Sequence, residues 1–194
     1  QIMISQIQPH FLYNPLSAIY VLCGDDPKLA QKTIKDFSLY RRHNMNSLNS
    51  SECVPFEKEM EHTKTYLAIE SLRFADLLNV EYDIQYTDFE LPPLSLQPIV
   101  ENAVKYGIRS RENGGTVTVK TYKENDKIYI VVKDDGVGFD INKPLSNDRT
   151  HLGIENTKNR LNYMCNGDLI IESVPDVGTT VTITLEDTNE YTAS

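Results

Sequence analysis

The sequence predicts an α+β chain: a helical segment over residues 1–75, then an α/β unit over residues 76–194 built on a mixed sheet. Three observations carry that expectation. Apolar residues recur at helical spacing up to about Phe74. From Val80 the pattern switches to period-two alternation and β-rich runs. Helical stretches then reappear between those runs, so the second part is neither all-α nor all-β.

The elements follow in order. Ile4, Ile7, Phe11, Ala18 and Ile19 share one face of a first helix, while Gln6, His10, Asn14 and Ser17 share the opposite face. Pro9 and Pro15 interrupt this helix without breaking its rhythm. Each lacks an N–H and so frees the carbonyl four residues earlier, at Ser5 and Phe11. A backbone loosened on both sides of His10 would let its ring swing. "GDDP" ends the pattern, with Asp26 placed to cap a second helix and Pro27 at its first turn. That helix sets Leu29, Ile34, Phe37 and Met45 on its apolar side. "NSLNSSECVP" is a polar connection, and Pro55 restarts a helix carrying Met60, Leu67 and Phe74.

"VEYDIQY" alternates as a strand, with Val80, Tyr82, Ile84 and Tyr86 on one side. "LPPLSLQPIVENAVKYGI" reads as a loop turning into a helix that Gly107 ends. "GTVTVKTY" and "KIYIVVKD" are strands joined by a hairpin turn at "KEND". "LGIENTKNRLNYM" is helical, with Leu152, Leu161 and Met164 toward the core, and "DLIIESV" and "TTVTITL" are strands flanking "PDVG".

A net charge of −9 argues against a broad nucleic-acid or anionic-membrane surface, because phosphate contacts draw on clustered Lys and Arg. A small anion remains compatible, since backbone N–H groups and a bound metal can supply the positive field. Cys23, Cys53 and Cys165 form no CxxC pattern and read as reduced thiols; the four histidines show no zinc spacing. His43 and His62 carry no motif and read as surface residues, and Arg41-Arg42 as a solvated helix end. No apolar run approaches a bilayer span. The chain opens on Gln1 inside a helix-like pattern, which predicts a piece of a longer protein.

Chemistry concentrates in "KDDGVGFD", directly after a strand. An acid followed by two close glycines lets backbone approach a flat ligand while the carboxylate accepts from an amino group. By itself the motif is also a plain Asp-Gly turn. With "PIVENAVKYG" upstream and "HLGIENTKNRL…GTTVTITL" downstream, the chain resembles the histidine-kinase, gyrase, Hsp90 and MutL ATPase superfamily. "QIQPHFLYNPLSAI" and "YLAIESLRFADLLNVEYDIQ" narrow the resemblance to sensor histidine kinases of the LytS/YesM type, from Gln6 to Leu185. It implies a dimerising, phosphoaccepting helical segment and an α/β-sandwich ATP-binding domain with a mostly antiparallel sheet.

Residue by residue, the resemblance makes His10 the phosphoacceptor, Asn102 the Mg²⁺ ligand against the triphosphate, and Lys105 a phosphate contact. Asp134 becomes the acid that accepts the adenine amino proton, with Gly136 and Gly138 as its glycines and Thr179, after Gly178, as its backing threonine. Gly153 matches the surviving glycine of the lid motif, and Arg73 falls in the family's "LRF" stretch. Asn14, one turn from His10, is placed to orient a water or an acyl phosphate. The implied cofactors are ATP and Mg²⁺. The implied partners are a second copy of the chain and the receiver domain of a response regulator, with no direct nucleic-acid contact. No membrane contact is expected within this fragment, which is read as a cytoplasmic domain of a bacterial inner-membrane protein.

The sequence departs from the family pattern at three places. His151 stands where the lid motif has its first glycine, Tyr106 replaces the histidine of "KHG", and Pro98 occupies the position of the water-activating glutamate of ATP-hydrolysing relatives. Without that base, attack by a separate nucleophile is the expected chemistry, and imidazole is a competent one near neutral pH. Two other readings are a non-catalytic ATP-binding switch, motivated by His151 and Tyr106, and an ATP-hydrolysing chaperone or DNA-repair relative, which Pro98 opposes. Acid-labile phosphate on the protein separates the kinase from both.

Overall fold

"GDDP" is where the first two helices part. α1 (Pro9–Asp25) and α2 (Pro27–Ser47) meet at Asp26, whose carboxylate accepts the Leu29 N–H at 3.0 Å, the N-cap the sequence predicts. Pro15 lies inside α1. The computed structural model describes residues 9–47, 52–141 and 148–187. The expectations for Ile4, Ser5, Gln6 and Ile7 lie outside them, as do those for the side chains of Phe11, Met45 and Leu152. The buried stripe of α2 runs through Ala30, Thr33, Phe37 and Tyr40. Ile34, expected on that stripe, is 47% exposed instead. A 3–4–3 spacing that includes a small and a polar residue forms the contact, and it turns Ile34 aside.

The next helix, α3 (Phe56–Phe74), begins one residue later than expected. Pro55 belongs to a two-residue strand, β1 (Val54–Pro55), antiparallel to β3 (Glu90–Leu91). The five-stranded sheet comprises β2 (Leu78–Ile84), β4 (Gly115–Glu124), β5 (Lys127–Asp134), β6 (Asp168–Val174) and β7 (Gly178–Glu186), in the order β2-β4-β5-β7-β6. Only β2 and β4 run parallel, so the sheet is mixed and mostly antiparallel. In the β4–β5 hairpin Glu124 pairs with Lys127, and Asn125 and Asp126 take φ of 49° and 59°. That is the two-residue turn with both central residues left-handed, which Asn and Asp tolerate.

One face of the sheet packs on helices α3, α4 (Gln97–Asn102) and α5 (Asp148–Cys165). Val117, Val119, Ile130 and Ile183 from the strands bury with Phe56, Leu67, Ile99 and Leu161 from the helices. Burying side chains of this size stabilises by roughly 1.5–3 kcal/mol each. Tyr82 is 42% exposed. It sits on the edge strand β2, where Lys64 covers its ring at 5.3 Å.

A buried carboxylate fastens α3 to the loop before α4. Glu59 accepts from the N–H groups of Leu94, Ser95 and Leu96 at 2.8, 3.0 and 3.4 Å. Leu94 has a φ of 59°, a conformation a branched side chain takes only when its surroundings impose it. Desolvation raises the Glu59 pKa, and the three N–H groups work against that rise. Glu59→Ala would leave these buried donors unpaired, at a cost of about 1–3 kcal/mol for each one that water cannot reach. Chemical denaturation is expected to show a loss of at least about 3 kcal/mol for Glu59→Ala and a smaller one for Glu59→Gln, which keeps an acceptor.

Candidate functional site

Period-two alternation along β5 points Ile128, Ile130 and Val132 into the core, and the same parity carries Asp134 inward. Asp134 is only 4% exposed. Its donors are backbone: the Gly136 N–H reaches Oδ1 at 3.0 Å, and the Thr179 N–H also bonds the carboxylate. Three glycines close in around it. A Cβ on Gly107 would collide with the Asp134 carboxylate, one on Gly136 with the Gly107 backbone, and one on Gly178 with the Asp134 carbonyl. Desolvation is the largest effect on Asp134 and lifts its pKa to about 6. The two N–H bonds oppose the rise, and the neighbouring Asp135 carboxylate adds to it. Asp135 does different work: it accepts the Thr116 N–H at 2.7 Å and ties the ends of β4 and β5 together.

Gly107 reaches Asp134 through an irregular turn. After Asn102, residues Ala103–Ile108 form a π-helical turn, with the Arg109 N–H bonding the Val104 carbonyl at 3.0 Å. Gly107, expected to end the helix, sits inside this turn, which runs on to Ile108. Such bulges insert one extra residue and are common at functional sites. Here the insertion brings the Gly107 carbonyl to the Val137 N–H at 3.3 Å, joining the "KYG" and "DGVG" segments. Lys105 and Tyr106 lie on the same turn; Lys105 Nζ donates to Tyr106 Oη at 2.8 Å and sits 4.5 Å from the ring centroid.

The remaining predicted residues are placed as follows. Gly138 has a φ of 56°, and a Cβ there would strike the Val174 carbonyl, so the second glycine of the motif is a backbone requirement. Thr179 pairs with Asp134 across β5 and β7, and its hydroxyl lies 3.0 Å from Ser173 Oγ. Gly153, matched to the glycine of the lid motif, lies within helix α5, as the helical reading of "LGIENTKNRLNYM" expects. A Cβ there would make ordinary contact, 4.0 Å from Pro98, so space does not demand glycine. His10 and Asn14 lie on α1 four residues apart, and their side chains are outside the described part. These contacts bring Asp134, Gly107, Gly136 and Thr179 together, and Asn102 and Lys105 lie on the helical segment that leads to them.

Two residues escaped the sequence reading. His62 is buried at 6% exposure, where a surface position was expected, and it bonds Gln97 and Asn44. It falls on the α3 stripe of Glu59, Thr63, Tyr66 and Glu70, visible only if polar residues are admitted to the core pattern. Glu101, beside Asn102, accepts from Tyr40. No group of three or more His, Cys, Asp or Glu that could hold a metal occurs among the described residues. Asn102 offers one neutral oxygen, which suits a hard cation that arrives with phosphate and water oxygens filling its other positions.

Family models match two parts of the chain: "Histidine kinase" over residues 1–78 and "Histidine kinase-, DNA gyrase B-, and HSP90-like ATPase" over residues 92–189. The Bacillus subtilis protein YwpD is 38% identical over 185 residues, covering 92% of this chain and 66% of that protein. Sensor histidine kinase YpdA of Escherichia coli is 39% identical over 70% of this chain, and sensor protein LytS of Oceanobacillus iheyensis 35% over 70%. The match spans only 24% and 23% of those two longer proteins. The histidine kinase domain from the Erythrobacter litoralis EL346 blue-light activated kinase superimposes with a TM-score of 0.56 at 13% identity, covering 91% of this chain and 85% of that one; it shows the fold. With both family models matched in order, the chain belongs to the histidine kinases with a histidine kinase-, DNA gyrase B- and HSP90-like ATPase domain, and sensor proteins LytS are among its relatives.

Proposed function

We propose that this chain is the catalytic portion of a two-component sensor kinase, which phosphorylates His10 from Mg-ATP and passes the phosphoryl group to a response-regulator aspartate. The buried Asp134 carboxylate, hemmed by glycine backbone at the end of β5, carries the reading. Such a site accepts a flat base with an exocyclic amino group and admits backbone close to its plane. In this account residues 1–75 dimerise and carry His10, and residues 76–194 bind ATP. Asn102 holds Mg²⁺ against the triphosphate, Lys105 contacts phosphate, and Gly136, Gly138, Gly153 and Thr179 border the nucleotide. Bound Mg²⁺ supplies charge neutralisation on the phosphates. An unprotonated imidazole nitrogen of His10 attacks the γ-phosphorus, the bond to the bridging oxygen breaks, and ADP departs. Pro98 offers no base for water, which favours this nucleophile over hydrolysis.

A homodimer is supported by the exposed apolar residues Leu16, Tyr20 and Val21 on α1 and Ile34 and Leu39 on α2. No helix among the described residues is long and apolar enough to cross a membrane. In this reading, which rests on the resemblance to sensor kinases, the portion lies on the cytoplasmic side of a longer membrane-anchored sensor. A second reading, a non-catalytic ATP switch, draws on the Lys105–Tyr106 bond, which engages a proposed phosphate contact within the protein. Incubation with γ-labelled ATP decides: the kinase reading requires acid-labile label that His10→Ala abolishes, and no label on the wild type would overturn it.

Four further outcomes are expected. Asp134→Asn should weaken ATP binding by about 1.5–3 kcal/mol, the worth of a hydrogen bond to a charged group, as calorimetry would show. The same change should stabilise the free protein at high pH. A carboxyl held at about 6 when folded, above its ordinary value of 3.8, favours the folded state fully only below the lower value and loses that contribution as pH rises through 6. The loss is at most roughly 3 kcal/mol and is nearly complete once pH passes the folded value, so the melting temperatures of wild type and Asp134→Asn should diverge between about pH 4 and about pH 6. Asn102→Ala should abolish Mg²⁺-dependent labelling of His10 while circular dichroism stays unchanged; surviving labelling would move the metal role elsewhere. Asn14→Ala should leave His10 labelling within about tenfold, which is about 1.4 kcal/mol of barrier, but slow regulator dephosphorylation by more. Equal losses in both rates, with a lower melting temperature, would make Asn14 a packing residue.

A further inference from the structure

Three helices each contribute an i, i+4 pair to one buried polar seam: Tyr40 and Asn44 from α2, His62 and Tyr66 from α3, Gln97 and Glu101 from α4. Tyr40 Oη donates to Glu101 Oε1 at 2.9 Å and accepts from Gln97 Nε2, which also reaches Glu101. His62 Nε2 lies 2.7 Å from Gln97 Oε1 and 2.6 Å from Asn44 Oδ1. The Tyr40 ring stacks on His62 with centroids 4.5 Å apart and on Tyr66 at 6.0 Å. Tyr40 is 1% exposed.

Apolar side chains would hold these helices together at least as well, because buried polar groups must first recover their desolvation cost. A hydrogen-bonded seam adds direction. It fixes the rotation of α4 about its own axis, which apolar contact leaves adjustable. Gln97 and Glu101 occupy the seam face of α4, Asn102 follows about 100° round the helix, and Lys105 lies one turn beyond Glu101. The residues proposed to meet the metal and the phosphates are therefore aimed by a bond that starts on α2.

We infer that Tyr40 is a positioning residue: by holding Glu101 it sets the rotation of α4, and so makes Mg-nucleotide affinity depend on the seating of α2. By linkage, bound Mg-nucleotide seats α2 more firmly in return. The inference rests on the nucleotide site proposed above, and a binding measurement tests the two separately. Calorimetry on residues 1–194 would compare ADP affinity with Mg²⁺ and with EDTA for wild type, Tyr40→Phe, Glu101→Ala, Glu101→Gln and the Tyr40→Phe/Glu101→Ala double variant. Tyr40→Phe is expected to cut the Mg²⁺-dependent gain in affinity at least about fivefold while changing the EDTA value less than about twofold. Glu101→Gln, which still offers Tyr40 an acceptor, should lie closer to wild type than Glu101→Ala, and the double variant should be no worse than Glu101→Ala alone. An unchanged Mg²⁺ gain in Tyr40→Phe, an equal loss with and without the metal, or additive effects would overturn the inference. Wild type that binds ADP in neither condition would overturn the nucleotide reading and this inference with it.

Discussion

A carboxylate buried at the end of a strand needs donors, and at Asp134 those donors are main-chain N–H groups rather than a cation. That constraint organises its surroundings. Backbone approaches so closely only where a side chain is missing, hence Gly107, Gly136 and Gly178 in contact with it or with one another. Gly107 in turn must be delivered by the helix that carries Asn102, and a regular α-helix gives way there to a π-turn. The β6–β7 hairpin completes the enclosure. The Asp176 N–H donates to Val137 at 2.7 Å, and Gly138 packs against Val174. Three segments distant in sequence thus meet at one acid.

Buried acids of this chain differ by what surrounds them. Glu59 answers three N–H groups and belongs to the architecture. Glu101 is held by the side chains of Tyr40 and Gln97, its pKa raised by desolvation and moderated by those bonds. Asp134 has only two backbone donors for a carboxylate that can accept about four bonds, so it keeps capacity for a ligand. What sets Asp134 apart is its enclosure by glycine backbone, whereas Glu59 ties α3 to a loop and Glu101 is held by side chains of α2 and α4; that is the physical reason for proposing Asp134 as the residue that meets a base.

Much of this was legible in the residues. The Asp26 cap, the Asn125-Asp126 hairpin and the glycine-flanked Asp134 are local signals, each with a stereochemical cause that spacing reveals. Tertiary features were not. Nothing local distinguishes His62 or Glu101 from a solvent-facing residue on an amphipathic helix; their burial comes from helices that arrive from elsewhere in the chain. Ile34 erred the other way, because apolar character predicts burial only where a neighbouring element supplies cover. The π-turn was hidden for another reason: a one-residue insertion leaves the hydrophobic rhythm of "NAVKYGI" almost unaltered over so short a run.

The central claim is that the Asp134 carboxylate accepts the amino hydrogen of adenine. Carbon-13 NMR of the Asp134 carboxyl, titrated with and without bound nucleotide, tests it most directly. In the free protein the group should titrate near 6, held up by desolvation. A donor placed against the charged form must lower that value, so adenine-nucleotide binding should carry the transition clearly downward. A carboxyl that titrates at the same pH in both states would contradict the account.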